Sequence, residues 1–280
     1  MRWYMNHCRK RLRSIMPNVA DLPYLLHLLE DESLRRSILE QLSTFGSTLE
    51  DAIEAQQIRL TPLQALEIRS LWDQQDNEWI VQQWSRTHHI EDDMELLKRA
   101  QQLIAQYQFG RLYPAKLRSM LDALADEFDA RYTQRDALLL AEFLFQGYAL
   151  RGVEQEGYYN PFNSNLVYVI EQRRGLPINL VCIYMLVGWR LELSIGGYNF
   201  PDHFLALVHT KGKKLVVDCF DRGRILPREQ LLAMAHLLRT DEAPPIECDT
   251  IAILQRVLRN LIYAYTLADQ PHHARTMERL

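Results

Sequence analysis

A predominantly helical α+β fold is predicted by three observations. Apolar residues recur at spacings of three and four through most of the first 190 positions, the period of helices that bury one face. One segment, Pro177 to Leu191, is apolar on nearly every side and so reads as a central, fully packed helix. Two β-rich runs, Phe204–Val208 and Lys214–Phe220, are joined by Lys211-Gly212-Lys213, the pattern of an antiparallel hairpin. At 280 residues the chain has ample length to bury a core.

The elements follow in order. Asp21 and Pro23 open a first helix whose apolar positions are Leu22, Leu25, Leu26 and Leu29. Asp31 and Ser33 cap a second, with Leu34, Ile38, Leu39, Leu42 and Phe45 in a stripe that Gly46 stops. Thr61-Pro62 opens a helix to about Asp73, and a further helix carries Trp79 and Trp84. After an acidic stretch at Glu91–Glu95, Met94, Leu97, Ala100, Leu103 and Ile104 form the next stripe. Leu117, Met120, Leu121, Leu124 and Phe128 place another helix over 115–132, and 137–148 reads as a mostly buried one.

A polar loop spans Gly152–Asn165, with Asn160, Asn163 and Ser164 in turn-forming roles. Gly196-Gly197 marks the change from helical to extended period. Pro227 starts another helix, Ala243-Pro244-Pro245 reads as a linker, and 250–280 reads as a helical hairpin broken at Gln270-Pro271.

Composition narrows the function. Apolar residues make up 48% and charged ones 24%, with a formal net charge of −4. The only basic run is Arg9, Lys10, Arg11 and Arg13, which is too little for a nucleic-acid binder. No segment has the roughly 18 consecutive apolar residues of a membrane helix. The first residues lack the apolar core and cleavage site of a secretory signal. Cys8, Cys182, Cys219 and Cys248 form no CxxC, so neither zinc nor a dithiol pair is indicated, and a cytoplasmic chain with reduced thiols is expected. His88-His89 and His272-His273 lack a third ligand, and no glycine pattern cradles phosphates, so no metal and no cofactor are expected.

The chemistry concentrates between residues 158 and 224. His203 precedes one predicted strand, and Asp218 lies near the end of the next, fifteen residues on. That separation suits partners across a hairpin. A carboxylate holding one imidazole nitrogen fixes the tautomer and frees the other nitrogen for chemistry. Four ordered strings surround this pair: YYNPFNSN (158–165), RRGLPIN (173–179), NFPDHFL (199–205) and VDCFDRGRIL (217–226).

Together these strings resemble the SirB-type branch of the transglutaminase-like superfamily, whose strings read roughly YYxPxNSxL, RRGIPIxL, GFPGHFL and DPFxGGxxL. The similarity runs from about Leu96 to the end. It implies a papain/transglutaminase-like core, with a helix packed on a small antiparallel sheet that bears His203 and Asp218. Active members of that superfamily place a Cys nucleophile at the start of the central helix, where the dipole lowers its pKa. Here the matching string is Gly175-Leu176-Pro177, so Pro177 stands where the Cys is expected. Asp202 and Cys219 also depart from the pattern.

Cys182 is the alternative nucleophile. It lies five residues past Pro177, about 7.5 Å along a helix rising about 1.5 Å per residue, between Val181 and Ile183. The residues expected at a ligand are Asn179, Arg173, Arg174 and Asn163.

The sequence therefore predicts a catalytically degenerate protein, with His203 and Asp218 as a vestigial dyad, that binds a protein or peptide partner. The alternative is an active cysteine-dependent amidase, peptidase or acyltransferase using Cys182 with His203 and Asp218. Neither nucleic acid nor membrane is expected as a partner. Three regions are expected: a helical, HEAT-repeat-like segment over 1–90, the core over 91–242, and a tetratricopeptide-like helical hairpin over 243–280.

Overall fold

The computed structural model describes residues 18–280 apart from 46–47, 59, 110–113, 201–202, 211, 228–229 and 232–246. The basic run 9–13, Gly46, Asp202, most of the helix expected from Pro227 and the 243–245 linker lie outside the described residues. The chain divides into two compact units, residues 1–79 and 80–280.

The first unit holds helices α1 (Leu22–Leu28), α2 (Arg35–Ser43) and α3 (Thr48–Ala55) and most of the long α4 (Pro62–Ser85), whose last six residues belong to the second. The predicted leucines do the packing: Leu22, Leu26, Leu29 and Leu42 are buried together with Leu49 and Ile68. Gln64 Nε2 donates to the Leu26 carbonyl (3.0 Å), tying α4 to the end of α1. The break expected near Asp73 is absent, and α4 runs through it uninterrupted. No Pro or Gly lies inside that stretch to end the helix.

In the second unit, α5 (Asp93–Phe109), α6 (Pro114–Arg131), α7 (Ala137–Glu142), α8 (Leu166–Gln172) and α9 (Pro177–Arg190) are followed by the sheet and by α10 (Thr250–Leu267) and α11 (Pro271–Glu278). Side chains cap several of these helices. Asp136 Oδ1 accepts from Leu138 N (2.8 Å), Asn165 Oδ1 from Val167 N (3.0 Å) and Asp249 Oδ1 from Ala252 N (2.7 Å). The helix expected over 137–148 is shorter than its pattern. It ends in a π-helical turn over Phe143–Gly147, where Tyr148 N donates to the Phe143 carbonyl.

Five strands form one antiparallel sheet in the order β6-β5-β4-β3-β7: β3 (Ile195–Phe200), β4 (His203–Thr210), β5 (Lys213–Asp218), β6 (Arg224–Leu226) and β7 (Glu247–Cys248). Earlier in the chain, β1 (Arg151–Gly152) and β2 (Arg174–Gly175) form a short parallel pair. Helix α9 packs on β3 and β4 and against α5 and α6. Its residues from Pro177 to Gly188 are all buried, which explains an apolar sequence on every face.

Gly196-Gly197, which reads as a boundary, lies inside β3. A Cβ at Gly197 would sit 2.9 Å from the Phe204 ring on the neighbouring strand, so the space is already filled by that ring. In the C-terminal hairpin, Ile253, Val257, Leu261 and Tyr265 face inward, and α11 is anchored where Tyr107 bonds His273.

Candidate functional site

The hairpin predicted from sequence brings His203 and Asp218 together. Strands β4 and β5 pair Ala206 with Val217. Extending that register by one sets Leu205 opposite Asp218, so His203 is its diagonal neighbour on the same face. His203 Nε2 lies 3.0 Å from Asp218 Oδ2, with side-chain exposures of 22% and 7%.

The carboxylate's other oxygen is also engaged. Asp218 Oδ1 accepts from Phe220 N and Asp221 N, both at 3.1 Å, closing an Asx turn at the strand end. Burial pushes the Asp218 carboxyl up. The hydrogen bond and charge of His203, with the two backbone N–H groups, outweigh that and leave it below the usual carboxylate value. An ionised Asp accepts only, so it holds the imidazole proton on Nε2 and leaves Nδ1 to face other groups.

Phe220 and Gly152 complete the corner, and neither was an expected site residue. The Phe220 ring stands edge-on to His203, with centroids 6.2 Å apart. Gly152 N donates to the Phe220 carbonyl (3.1 Å), and Gly152 pairs with Gly175, two residues before α9 begins. The start of α9 thus reaches the imidazole corner through Gly152 and Phe220. No local pattern signals this, because the contacts join segments far apart in the chain.

A Cβ at Gly152 would fall 2.5 Å from two Phe220 ring carbons. Gly152→Ala should therefore displace the ring and cost about 1–3 kcal/mol, as overpacking does. A lowered thermal midpoint, together with a changed His203 imidazole signal in NMR, is the expected result. An unchanged midpoint would mean that Phe220 does not buttress the dyad.

Pro177 is the first residue of α9 and is buried. It has no N–H and no nucleophilic atom. Cys182, more than one turn further on, is fully buried, and burial pushes its thiol up to about 12. Cys219 is likewise fully buried, raised well above the usual value by burial and then by the charge of Asp218.

The other expected contacts go elsewhere. Asn179 is fully buried, and its Nδ2 donates to the Ser164 carbonyl (3.2 Å). Asn163 is 2% exposed and donates to the Gly157 (2.7 Å) and Tyr158 (3.0 Å) carbonyls. Asn163 thus closes the 157–165 loop on itself and Asn179 ties that loop to α9, while the buried Asn179 Oδ1 has no hydrogen-bond partner among the described residues. Arg173 caps α8 at φ 55° and stacks its guanidinium 4.5 Å from the Tyr148 ring centroid, while Arg174 pairs with Glu154 (3.4 Å). Among the described residues no group of three His, Cys, Asp or Glu side chains is placed to hold a metal ion, and no helix is long and apolar enough to cross a membrane.

Comparison with known families matches residues 115–259, just over half of the chain and including His203 and Asp218, to the transglutaminase-like superfamily. The chain belongs to the transglutaminase-like superfamily. The chain is similar to a UPF0162 protein of Xylella fastidiosa (strain Temecula1), 31% identical over 202 residues, which covers 67% of this chain and 71% of the relative. A UPF0162 protein of Pseudomonas aeruginosa is 30% identical over 176 residues, 56% of this chain and 60% of that one. Mouse F-box only protein 21 is 33% identical over 64 residues, 23% of this chain and 10% of its own. No solved structure matches the chain.

Proposed function

We propose that this transglutaminase-like protein is a catalytically degenerate member of the SirB-type branch that binds a peptide or protein segment at the corner of His203, Asp218 and Phe220. One observation carries the reading. The His–Asp pair is intact, yet the helix beside it begins with Pro177, and the two thiols nearest in sequence, Cys182 and Cys219, are sealed from solvent. The competing cysteine-dependent amidase, peptidase or acyltransferase needs Cys182 as a thiolate. With its thiol near 12, only about one molecule in 100,000 carries that thiolate at neutral pH, against a few per cent for a free cysteine. The half-buried imidazole, with Nδ1 unclaimed by Asp218, remains able to accept a hydrogen bond from a backbone N–H.

In this reading residues 91–242 form the binding core of a cytoplasmic protein. The HEAT-like helices of 1–90 and the tetratricopeptide-like hairpin of 243–280 present further helical surface to the partner.

Alkylation of the folded full chain with iodoacetamide at neutral pH, read by mass spectrometry, tests the loss of the nucleophile. Cys182 and Cys219 should stay unmodified until urea is added, and rapid modification of Cys182 in the folded state would return the protein to the cysteine enzymes. Selection from a displayed peptide library tests the binding. Selected peptides should lose about tenfold or more in affinity for His203→Ala, given the about 1.5 kcal/mol of one good hydrogen bond. Undiminished affinity would remove the dyad from the interface.

A further inference from the structure

On the far side of the Asp218 turn, an open cleft of about 530 Å³ lies between the segment Phe145–Arg151 and the turn Asp221–Arg224. We propose that this cleft is a binding site for a phosphate group carried on a small organic body or a phosphorylated side chain. The inference stands apart from the reading of the dyad, because no residue of the dyad lines the cleft.

Charge is the first argument. Three arginines (Arg151, Arg222 and Arg224) and one aspartate, Asp221, are among the residues that line the cleft. Asp221 Oδ2 is already engaged by Arg224 Nε at 3.0 Å. Arg151 and Arg222 have no ion pair among the described residues, so the lining of this cleft carries two positive charges that no carboxylate offsets. A phosphate monoester carries a charge of about −1.5 to −2 at neutral pH and matches both. Guanidinium forks also fit tetrahedral oxyanions in paired hydrogen bonds, which a single ammonium cannot provide.

The walls are held in place before any ligand arrives. Gly152 N bonds the Phe220 carbonyl (3.1 Å), Gly223 N bonds the Asp218 carbonyl (2.9 Å), and Asp221 N bonds Asp218 Oδ1 (3.1 Å). Both walls turn on a residue with left-handed backbone, Ala149 (φ 63°) and Arg222 (φ 53°). For residues other than glycine that conformation costs on the order of 1 kcal/mol each and persists where the surroundings over-determine it. Buried Phe145 supplies an apolar floor from the π-turn. The cavity is larger than a lone phosphate needs and lies within the roughly 300–1,000 Å³ of small-molecule clefts. It leaves space beside the arginines for the group that carries the phosphate.

The test is a titration of the full chain with inorganic phosphate against sodium chloride at matched ionic strength, followed by thermal midpoint and calorimetry. A saturable rise in midpoint with phosphate alone is expected. Arg222→Gly is the deciding variant, since it removes the guanidinium and also relieves the left-handed strain, so it should fold at least as stably as the parent. It should weaken phosphate binding about tenfold or more, and Arg151→Gln should do the same, through loss of a charge-assisted bond. The remote exposed Arg118→Gln should bind unchanged. Competition with ribose 5-phosphate and with a phosphoserine tetrapeptide then separates the two carriers, and tighter binding of either over phosphate names the source. A midpoint that responds equally to chloride, or undiminished binding by both Arg222→Gly and Arg151→Gln, would overturn the proposal and leave ordinary solvated arginines.

Discussion

Asp218→Ala is expected to lower the thermal midpoint by about 10 °C. Asp218 is 5% exposed as a residue, and its carboxylate serves three donors at once, His203 Nε2 and the N–H groups of Phe220 and Asp221. Its removal leaves a half-buried imidazole and two turn amides without their acceptor. Breaking a buried pair from one side costs about 3–5 kcal/mol, and a unit of about 200 residues shifts by about 2–4 °C per kcal/mol.

The effect carries a pH signature. Asp218 titrates below its usual value in the folded protein. Its stabilising contribution is therefore complete above the unfolded value of about 3.9 and is lost as the pH falls through the lower, folded value. Wild type and Asp218→Ala should differ fully at neutral pH and converge in acid below about pH 4. Asp218→Asn keeps an oxygen for the turn amides while losing the charge, so it should fall between the two. A midpoint for Asp218→Ala within 2 °C of wild type would show that the turn stands without the carboxylate.

Phe204→Ala is expected to be as damaging by a different route. The ring is 1% exposed, fills the space left by Gly197 on β3, and lies 5.4 Å under the Arg256 guanidinium. Truncating a buried phenylalanine costs about 3–5 kcal/mol because the surroundings collapse only partly into the hole. Phe204 follows His203 directly on β4. The variant should therefore also loosen the dyad, visible as greater solvent exchange at the β4 amides. Phe204→Leu, which keeps most of the volume, should cost under about 1.5 kcal/mol. Equal midpoints for the two variants would mean that the ring is not the keystone between β3 and β4.

The packing around Gly197 also shows where sequence reading ends. Gly196-Gly197 reads as a break, because glycine alone says only that no side chain is wanted. The structure supplies the reason, which is a ring from a residue seven positions later. Likewise, the apolar run over 137–148 predicts a helix correctly as far as Glu142, and the π-turn that follows has no periodic signature. The polar loop 152–165 reads as a loop, and the side chains of Asn160 and Asn165 do cap short helical turns there.

Local chemistry was enough to place α9, the β4–β5 hairpin and the pairing of His203 with Asp218. Helix periodicity, turn glycines and the two-residue alternation of strands act over a few neighbours, and a hairpin keeps its partners close along the chain. Gly152, Phe220 and the arginine-lined cleft were decided by tertiary packing alone. Their contacts close long loops whose geometry depends on how every intervening element packs, and nothing in the adjoining residues encodes that outcome.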